Sequence, residues 1–236
     1  MYKRIILKLS GEALGADGDT LDQPTLARLA EQIKTVRANG TEVGVVVGGG
    51  NFVRGRTLSA LGTDRSTADR MGMLGTVINA LALQAALRQA GVKALAMSAF
   101  QIDGVTKFDR ELALKVLEEG GVLVFGGGVA NPYFSTDSGA ALRACELGAE
   151  AILMAKNGVD GVYSADPAKD ETAVRYADLT FNAILEKDLK VIDSTAAGLC
   201  RDNGVNIFVF DMNEEGNIIK AAAGEAVGTL IHGGKE

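Results

Sequence analysis

The chain of 236 residues is 47% hydrophobic and 23% charged, an ordinary composition for one globular domain with a sizeable core. A net charge of −6 disfavours nucleic-acid binding, which needs a basic surface to neutralise phosphates, so any phosphate-bearing partner should be small. With two cysteines and one histidine, the sequence also disfavours a disulfide framework, a Cys-based zinc site and chemistry that needs several histidines.

The location of the protein is predicted from signals that the sequence lacks. Its first residues do not show a signal-peptide pattern, and it contains no continuous apolar run of about 18 residues that would predict a membrane span. We therefore expect a cytoplasmic protein of one domain, residues 1–236, with neither nucleic acid nor membrane as a partner.

Apolar runs of strand length alternate with segments of helical periodicity along the chain. Such runs suit a mainly parallel sheet with helices on both faces, so the predicted fold class is α/β, a three-layer α/β/α sandwich. The predicted strands are Arg4–Leu9, Val43–Val47, Ala94–Met97, Val122–Phe125, Ala151–Met154 and Asn206–Phe210.

Helices are predicted from apolar spacing and from capping residues. The first carries apolar residues from Leu26 to Val36 on one face, after Pro24 and before Gly40. The dipeptide Asp103-Gly104 favours a two-residue turn, so we expect a small β-hairpin appendage within residues 100–108. Further helices are predicted at Gly72–Ala90, Asp109–Glu119, Asp137–Leu147, Asp178–Asp188 and Asp193–Asn203.

The first candidate site follows the first strand, at Lys8-Leu9-Ser10-Gly11. Ligands of open α/β sheets bind at the carboxyl ends of the strands, where a lysine and free backbone N–H groups would suit a phosphate. The alternative is a lysine of an edge strand that extends its ammonium into water.

The second candidate site is the run Gly48-Gly49-Gly50-Asn51, followed by Arg54. Glycines let backbone amides approach a phosphate closely, and a nearby arginine adds positive potential. A glycine-rich turn can also be purely structural. The run matches neither the Walker A pattern nor the dinucleotide-binding pattern.

The third candidate site repeats this pattern, since three glycines follow the strand Val122–Phe125 and precede the segment Asn131–Asp137. Ser135, Thr136 and Asp137 can each cap the next helix, and the residues that do not cap it could bind a ligand. Asp69, Asp160 and Asp166 complete the set, although Asp160-Gly161 and Asp166-Pro167 are also ordinary turn and loop sequences, and Asp69 could simply cap a helix.

In this order and at this spacing, the motifs resemble those of the bacterial uridylate kinases of the amino-acid-kinase superfamily, over essentially the whole chain. Glutamate, aspartate and carbamate kinases share only the first two features, and loosely. The motifs are Lys8-Leu9-Ser10-Gly11-Glu12-Ala13-Leu14, Gly48-Gly49-Gly50-Asn51 with Arg54-Gly55, Asp69 with Met71-Gly72-Met73, the run from Asn131 to Asp137, and Asp160-Gly161-Val162-Tyr163 with Asp166-Pro167.

The resemblance implies transfer of the γ-phosphoryl group of ATP to UMP, giving UDP and ADP, in pyrimidine nucleotide biosynthesis. The implied catalytic residues are Lys8, Arg54 and Asp137, with Asp137 orienting Lys8 or the metal-bound phosphates. The implied ATP contacts are Lys8, Leu9, Ser10, Gly11, Gly50 and Arg54, with Asn157, Tyr163 and Asp166 around the adenosine. The implied UMP contacts are Gly49, Asp69, Val129, Ala130, Asn131, Pro132, Tyr133, Phe134, Ser135 and Thr136.

Phosphoryl transfer spreads negative charge over phosphate oxygens, so it needs cations and N–H donors. It needs no general base here, because the phosphate of UMP is already an anion. The resemblance implies Mg²⁺ as the cofactor, held mainly by ATP phosphates and water, with no protein metal ligand assigned. It also implies a homohexameric, allosteric enzyme.

The chain departs from this family in two places. Val129-Ala130 stands where most relatives carry a Thr-Gly pair, so one hydroxyl contact to UMP must be replaced. Gly18-Asp19-Thr20 stands where relatives carry a Gly-Phe-Gly-like turn that is linked to GTP activation, so we expect weak or no activation by GTP.

Two other functions stay open on the sequence. A nucleotide- or oxyanion-binding protein of the same fold would bind without turnover, although the presence of Lys8, Arg54 and Asp69 together disfavours it. A kinase for another small phosphate or carboxylate would use the same phosphate-binding turns.

Overall fold

The structure, a computed structural model, describes residues 1–16, 18–53, 62–167, 169–187, 189 and 191–234. A short 3₁₀ helix, Gly11–Leu14, follows the first strand. The strands in the described ranges are β1 Arg4–Leu9, β2 Glu42–Val47, β3 Ala94–Ser98, β4 Thr106–Lys107, β5 Val122–Gly126, β6 Ala151–Lys156, β7 Val162–Tyr163, β8 Arg175–Tyr176, β9 Asp178–Thr180, β10 Asn206–Asp211 and β11 Gly228–His232. The helices are α1 Gln23–Ala38, α2 Arg65–Gln89, α3 Arg110–Glu118, α4 Thr136–Leu147, α5 Phe181–Glu186, α6 Ser194–Asp202 and α7 Asn217–Ala223.

Nine strands form one sheet in the order β4-β3-β5-β2-β1-β6-β10-β11-β9. Neighbouring strands are parallel except β10 and β11, which pair antiparallel. β1 lies at the centre, where Leu9 is opposite Val47 of β2 and Ala155 of β6. The carboxyl ends of β5, β2, β1 and β6 therefore lie side by side along one edge of the sheet.

The core forms two apolar layers, one on each face of the sheet. Side chains alternate along β1, so Ile5 and Leu7 point into one layer and Ile6 into the other. The layer with Ile5 contains the buried residues of α1, α2 and α7, and the layer with Ile6 contains those of α3, α4, α5 and α6. This arrangement confirms the predicted three-layer α/β/α sandwich.

The six predicted strands are all present, each within two residues of its predicted bounds. The predicted helix Asp178–Asp188 is wrong at its start, because residues 178–180 form β9, which pairs with β11 before Thr180 caps α5. Helix α2 begins at Arg65, earlier than predicted, because Asp64 caps it by accepting a hydrogen bond from Thr67 N–H at 3.1 Å. The antiparallel pair β7 and β8 was not predicted.

Of the predicted β-hairpin, the turn forms but the two paired strands do not. Gly104 has φ 82° and Val105 N–H donates to the Ile102 carbonyl at 3.1 Å, which closes the expected tight turn. The residues that follow, β4, leave the hairpin and pair in parallel with β3 at the edge of the main sheet. The two lengths of chain thus share only one antiparallel bridge, between Ile102 and Val105.

Within the part of the chain that the structure describes, α2 alone has the length and hydropathy of a helix that could cross a membrane. Its residues Ala80, Leu83 and Leu87 are buried in the core. Helices of this length and composition also occur in the cores of globular domains.

Candidate active site

A buried ion pair joins the centre of the sheet to α4. The Lys8 ammonium nitrogen lies 2.8 Å from Asp137 Oδ1, and the two side chains are 10% and 15% exposed. Removing one member of a buried pair leaves an uncompensated charge and costs about 3–5 kcal/mol. The alternative of an edge-strand lysine that reaches into water is therefore wrong, because β1 is a central strand and Lys8 points to Asp137.

The amino end of α4 holds Asp137 in position. Ser135 is the N-cap, and its hydroxyl accepts hydrogen bonds from the backbone N–H groups of Asp137 at 3.0 Å and Ser138 at 3.1 Å. The same hydroxyl donates to the carboxylate of Asp193, which caps α6 by accepting from Ala196 N–H at 2.9 Å. The starts of α4 and α6 are thereby tied together, and Asp137 lies in the first turn, where the helix dipole favours a carboxylate.

The turns after β1 and β2 pack backbone against backbone. A Cβ atom on Gly11 would lie 2.5 Å from Asn51 Oδ1 and 2.7 Å from the Gly50 nitrogen, and one on Gly48 would lie 2.8 Å from the Gly11 nitrogen. No other residue fits at these positions without moving backbone, so both glycines are required by the close approach. The two turns therefore lie against each other at the end of the strand that carries Lys8, and a glycine-rich backbone at a strand end suits a phosphate.

Two asparagines hold the glycine turn in place through hydrogen bonds. Asn79 of α2 is fully buried, and its amide nitrogen donates to the Gly48 carbonyl at 2.6 Å. Asn79 and Asn51 also bond to each other through both amides, at 2.8 and 2.9 Å. Asn51 donates in addition to the Thr20 carbonyl at 2.7 Å, so the pair connects α2, the glycine turn and the turn at Gly18-Asp19-Thr20.

A cavity of about 340 Å³ opens beside the glycine turn, where the ends of β2 and β5 meet α2. α2 approaches the turn closely, since a Cβ atom on Gly49 would lie 2.4 Å from the Gly72 carbonyl oxygen. The lining includes Gly49, Gly50, Asp69, Met73, Thr76, Val129, Asn131, Phe134, Ser135 and Thr136.

Asp69 lies inside α2 and contributes its carboxylate to this cavity. One carboxylate oxygen accepts a hydrogen bond from Tyr133 N–H at 2.7 Å and lies 3.6 Å from the Arg65 guanidinium. The same arginine lies over the Tyr133 ring, 5.0 Å from its centre. The capping alternative for Asp69 is wrong, because Asp64 caps α2.

The loop between β5 and α4 is held in a strained shape. Ala130 has φ 66° and Tyr133 has φ 73°, a region that costs a residue with a side chain about 1–2 kcal/mol. Ala130 N–H donates to the Gly127 carbonyl at 3.0 Å, and Tyr133 N–H donates to Asp69. Strain held by surrounding contacts is typical of ligand-binding loops. Ala130 occupies the position where the family motif has a glycine, which would adopt this φ freely.

A second cavity, of about 780 Å³, opens beyond the end of β6. Tyr163 and Asp166 are among its lining residues, as are Lys156, Asp160, Leu189 and Val191. The Tyr163 hydroxyl donates to Asp160 at 2.9 Å, and this acceptor raises the pKa of the Tyr163 phenol above its usual value. Asp160 also pairs with Arg175 at 2.9 Å, which ties the cavity wall to β8.

Comparison with known proteins assigns the family. A family model described as the amino acid kinase family matches residues 3–211. The chain belongs to the amino acid kinase family.

Solved structures match this amino acid kinase over nearly its full length. UMP kinase from Bacillus anthracis is 36% identical with a TM-score of 0.96, covering 99% of this chain and 97% of that one. UMP kinase from Ureaplasma parvum is 39% identical with a TM-score of 0.93, covering 98% and 99% of the two chains. Uridylate kinase from Archaeoglobus fulgidus is 32% identical with a TM-score of 0.75, covering 96% and 99%.

The structure of this amino acid kinase brings most of the predicted site residues to one sheet edge. Arg54 lies outside the described residues. The side chain of Leu9 is buried in the core, so Leu9 could contact a ligand only through its backbone. Asn157 is exposed beside the larger cavity, and its amide oxygen accepts from Asn213 at 2.6 Å. In the loop before α4, Ala130, Pro132 and Tyr133 lie next to the smaller cavity but not in its lining.

Three residues of the site were not predicted from the sequence. Asn79 sits in the apolar stretch of α2, and Asp193 was interpreted only as the start of a helix. Lys156 is the last residue of β6, and Lys8 is the last but one of β1. A lysine at a strand end was therefore the signal that could have identified Lys156. Each is recognised only once the neighbouring strands and helices are in place.

We expect the exchange Asn79→Asp to lower the free energy of unfolding by about 1–3 kcal/mol, because a carboxylate oxygen would face the Gly48 carbonyl where an N–H donor now lies. Urea unfolding of both proteins measures the change. Asn203→Asp is the matched control, since Asn203 donates to the Leu199 carbonyl at 2.8 Å but is exposed. Equal losses in the two variants would contradict a special role for the buried amide pair.

Proposed function

We propose that this amino acid kinase is a cytoplasmic UMP kinase, which transfers the γ-phosphoryl group of ATP to UMP. The observation that carries the proposal is the position of Lys8. Its strand, β1, lies between β2 and β6, whose ends open on the two cavities, so its ammonium can serve a donor on one side and an acceptor on the other. Similarity at 32–39% identity to UMP and uridylate kinases supports these substrates.

The two cavities suit different substrates. The larger cavity, about 780 Å³, is assigned to the adenosine of ATP, with Tyr163 and Asp166 in its wall. The smaller cavity, about 340 Å³, is assigned to UMP, with Asp69 available to accept hydrogen bonds from its sugar. The turn at Ser10-Gly11 follows β1, which lies between the strands that open on the two cavities, and the turn Gly48-Gly49-Gly50 lines the smaller cavity, so the two phosphate groups would meet here.

In this proposal, Lys8 stabilises the negative charge that develops on the transferred phosphoryl group, and the glycine-turn amides bind phosphate oxygens. Asp137 orients the ammonium of Lys8 through the 2.8 Å contact. Mg²⁺, when bound with ATP, would neutralise phosphate charge. We assign this ion no protein ligand, because Mg²⁺ is usually held by substrate phosphates and water.

The function is tested by ADP release from ATP in the presence of Mg²⁺ and UMP. We expect turnover with UMP and little with acetate or carbamate as acceptors, since neither offers a sugar to the carboxylate of the assigned cavity. ATP binding without ADP release would favour a binding protein of the same fold. Faster turnover with another acceptor in this panel would replace UMP as the substrate.

Lys8→Ala should lower kcat by about 30- to 1,000-fold, which corresponds to about 2–4 kcal/mol of lost electrostatic stabilisation, with a smaller change in KM for ATP. Steady-state kinetics of ADP release measures both constants. The double variant Lys8→Ala, Asp137→Asn controls for the carboxylate that the single exchange leaves unpaired. Recovery of wild-type kcat in a stably folded double variant would mean that Lys8 serves only to pair with Asp137.

Asp69 should make the enzyme prefer UMP to dUMP. Hydrogen bonds to a charged group are worth about 1.5–3 kcal/mol, so loss of the 2′-hydroxyl should lower kcat/KM by about 10- to 150-fold. Asp69→Asn should reduce this preference, while its amide oxygen can still accept from Tyr133 N–H. Asp64→Asn is the control, because asparagine also caps helices well and Asp64 is not among the residues that line the cavity. An unchanged preference in folded Asp69→Asn would exclude the ribose contact.

We further propose that the chain forms a homohexamer, in keeping with its resemblance to the uridylate kinases. Support comes from the outer face of α2, where Met71, Leu74, Ile78 and Leu81 are 39%, 50%, 47% and 38% exposed. Their spacing of three and four residues places them along one side of the helix. A continuous apolar stripe on a helix surface is typical of an interface between copies.

Light scattering coupled to size-exclusion chromatography should give the mass of six 24.5 kDa chains for the wild type. The double exchange Leu74→Glu, Ile78→Glu should give a smaller assembly, because two charges would be buried at each contact. Leu112→Glu is the control, since Leu112 is 39% exposed on α3, away from this stripe. A wild-type monomer, or an unchanged mass in the double variant, would contradict the use of this surface.

A further inference from the structure

Lys156 lies at the end of β6, on the strand next to that of Lys8. Its side chain is partly buried, and its ammonium nitrogen donates to the Val191 carbonyl at 3.1 Å. An ammonium carries three N–H donors, and this carbonyl takes one of them. Because this carbonyl is neutral, the hydrogen bond does not compensate the positive charge of Lys156.

The electrostatic surroundings of Lys156 connect it to the ion pair of the site. Burial lowers the pKa of Lys156 below its usual value, the nearby charge of Lys8 lowers it further, and Asp137 acts in the opposite direction. Two cations and one carboxylate therefore share this partly buried region. An anion bound between the two lysines would relieve both the repulsion and the cost of burial.

The charged side chains that line the larger cavity come from different segments of the chain. Lys156 is the one basic side chain among its described lining residues, and it ends β6, the strand next to β1. Asp160 and Asp166 lie in the wall formed by the segment after β6, where each pairs with a basic side chain, Arg175 at 2.9 Å and Lys169 at 3.0 Å. A polyanion with an uncharged base at one end would therefore enter with its phosphates towards Lys156 and its base towards the carboxylates.

We propose that Lys156 binds the phosphate chain of the donor nucleotide and directs its terminal phosphate towards Lys8. This inference rests on the phosphotransferase function proposed above, to which it adds a second phosphate-binding cation. The contact lies on the donor side of Lys8, because β6 and the smaller cavity are on opposite sides of β1. Lys156 therefore acts on ATP and leaves UMP binding unchanged.

A purely structural role would give a different pattern. If Lys156 served only to hold Val191, its removal would loosen the cavity wall and weaken the binding of adenosine and ATP alike. A phosphate contact weakens ATP binding alone. Comparing these two ligands therefore separates the two roles without any need for turnover.

Isothermal titration calorimetry of wild type, Lys156→Met and Lys156→Arg with ATP and with adenosine tests the proposal. Lys156→Met should raise the Kd for ATP by about 10- to 100-fold and leave the Kd for adenosine unchanged, and Lys156→Arg should retain part of the affinity for ATP. Lys93→Met is the control, since Lys93 is exposed, pairs with Glu119 and precedes β3 at the opposite edge of the sheet.

An unchanged Kd for ATP in folded Lys156→Met, or parallel losses for ATP and adenosine, would overturn the proposal. Failure of the proposed UMP kinase function would be detected separately in the same samples. Wild-type protein that binds ATP but releases no ADP with UMP would contradict the UMP kinase function. A selective loss of ATP affinity in Lys156→Met would still support the phosphate contact.

Discussion

The ion pair between Lys8 and Asp137 is the interaction on which the geometry of the site depends. Both side chains are largely removed from water, so neither can move away without leaving the other charge unpaired. The pair thereby fixes the first turn of α4 against the central strand, and the hydrogen bonds of Ser135 and Asp193 extend this constraint to α6. In the order of the strands, β1 with this pair lies between β2 and β6, at whose ends the two cavities open.

Close backbone packing is the second constraint on the site. The turns after β1 and β2 meet at distances that leave no room for a Cβ atom on Gly11 or Gly48. This close approach of the two turns brings their backbone amide groups together, but it leaves no space for side chains at these positions. The buried amide of Asn79 donates to the Gly48 carbonyl, and the partly buried Asn51 is hydrogen-bonded to Asn79, so the two side chains hold the turn in shape. Backbone contacts and polar side chains thus hold the two turns to which phosphate binding is assigned in the proposed function.

The central strands could be predicted from the sequence because each is buried on both faces and appears as a continuous apolar run. The short strands could not. β7, β8 and β9 have two or three residues each and exist because of the strands that pair with them, so local pattern carries little signal. The start of α2 was missed for a related reason, since its first turns are polar and the apolar periodicity begins only later in the helix.

The sequence by itself determined the chemistry available to the protein. It provides a lysine at the end of β1, glycine-rich turns after β2 and β5, and residues that cap the helix after β5. These local features also carry the family resemblance, because they depend on neighbouring residues alone. Only the tertiary structure decided that Lys8 pairs with Asp137, that Asn79 supports Gly48, and that Lys156 faces the larger cavity. The physical reason is that helical crossovers place β1 between β2 and β6, so neighbours in the sheet are distant in the chain.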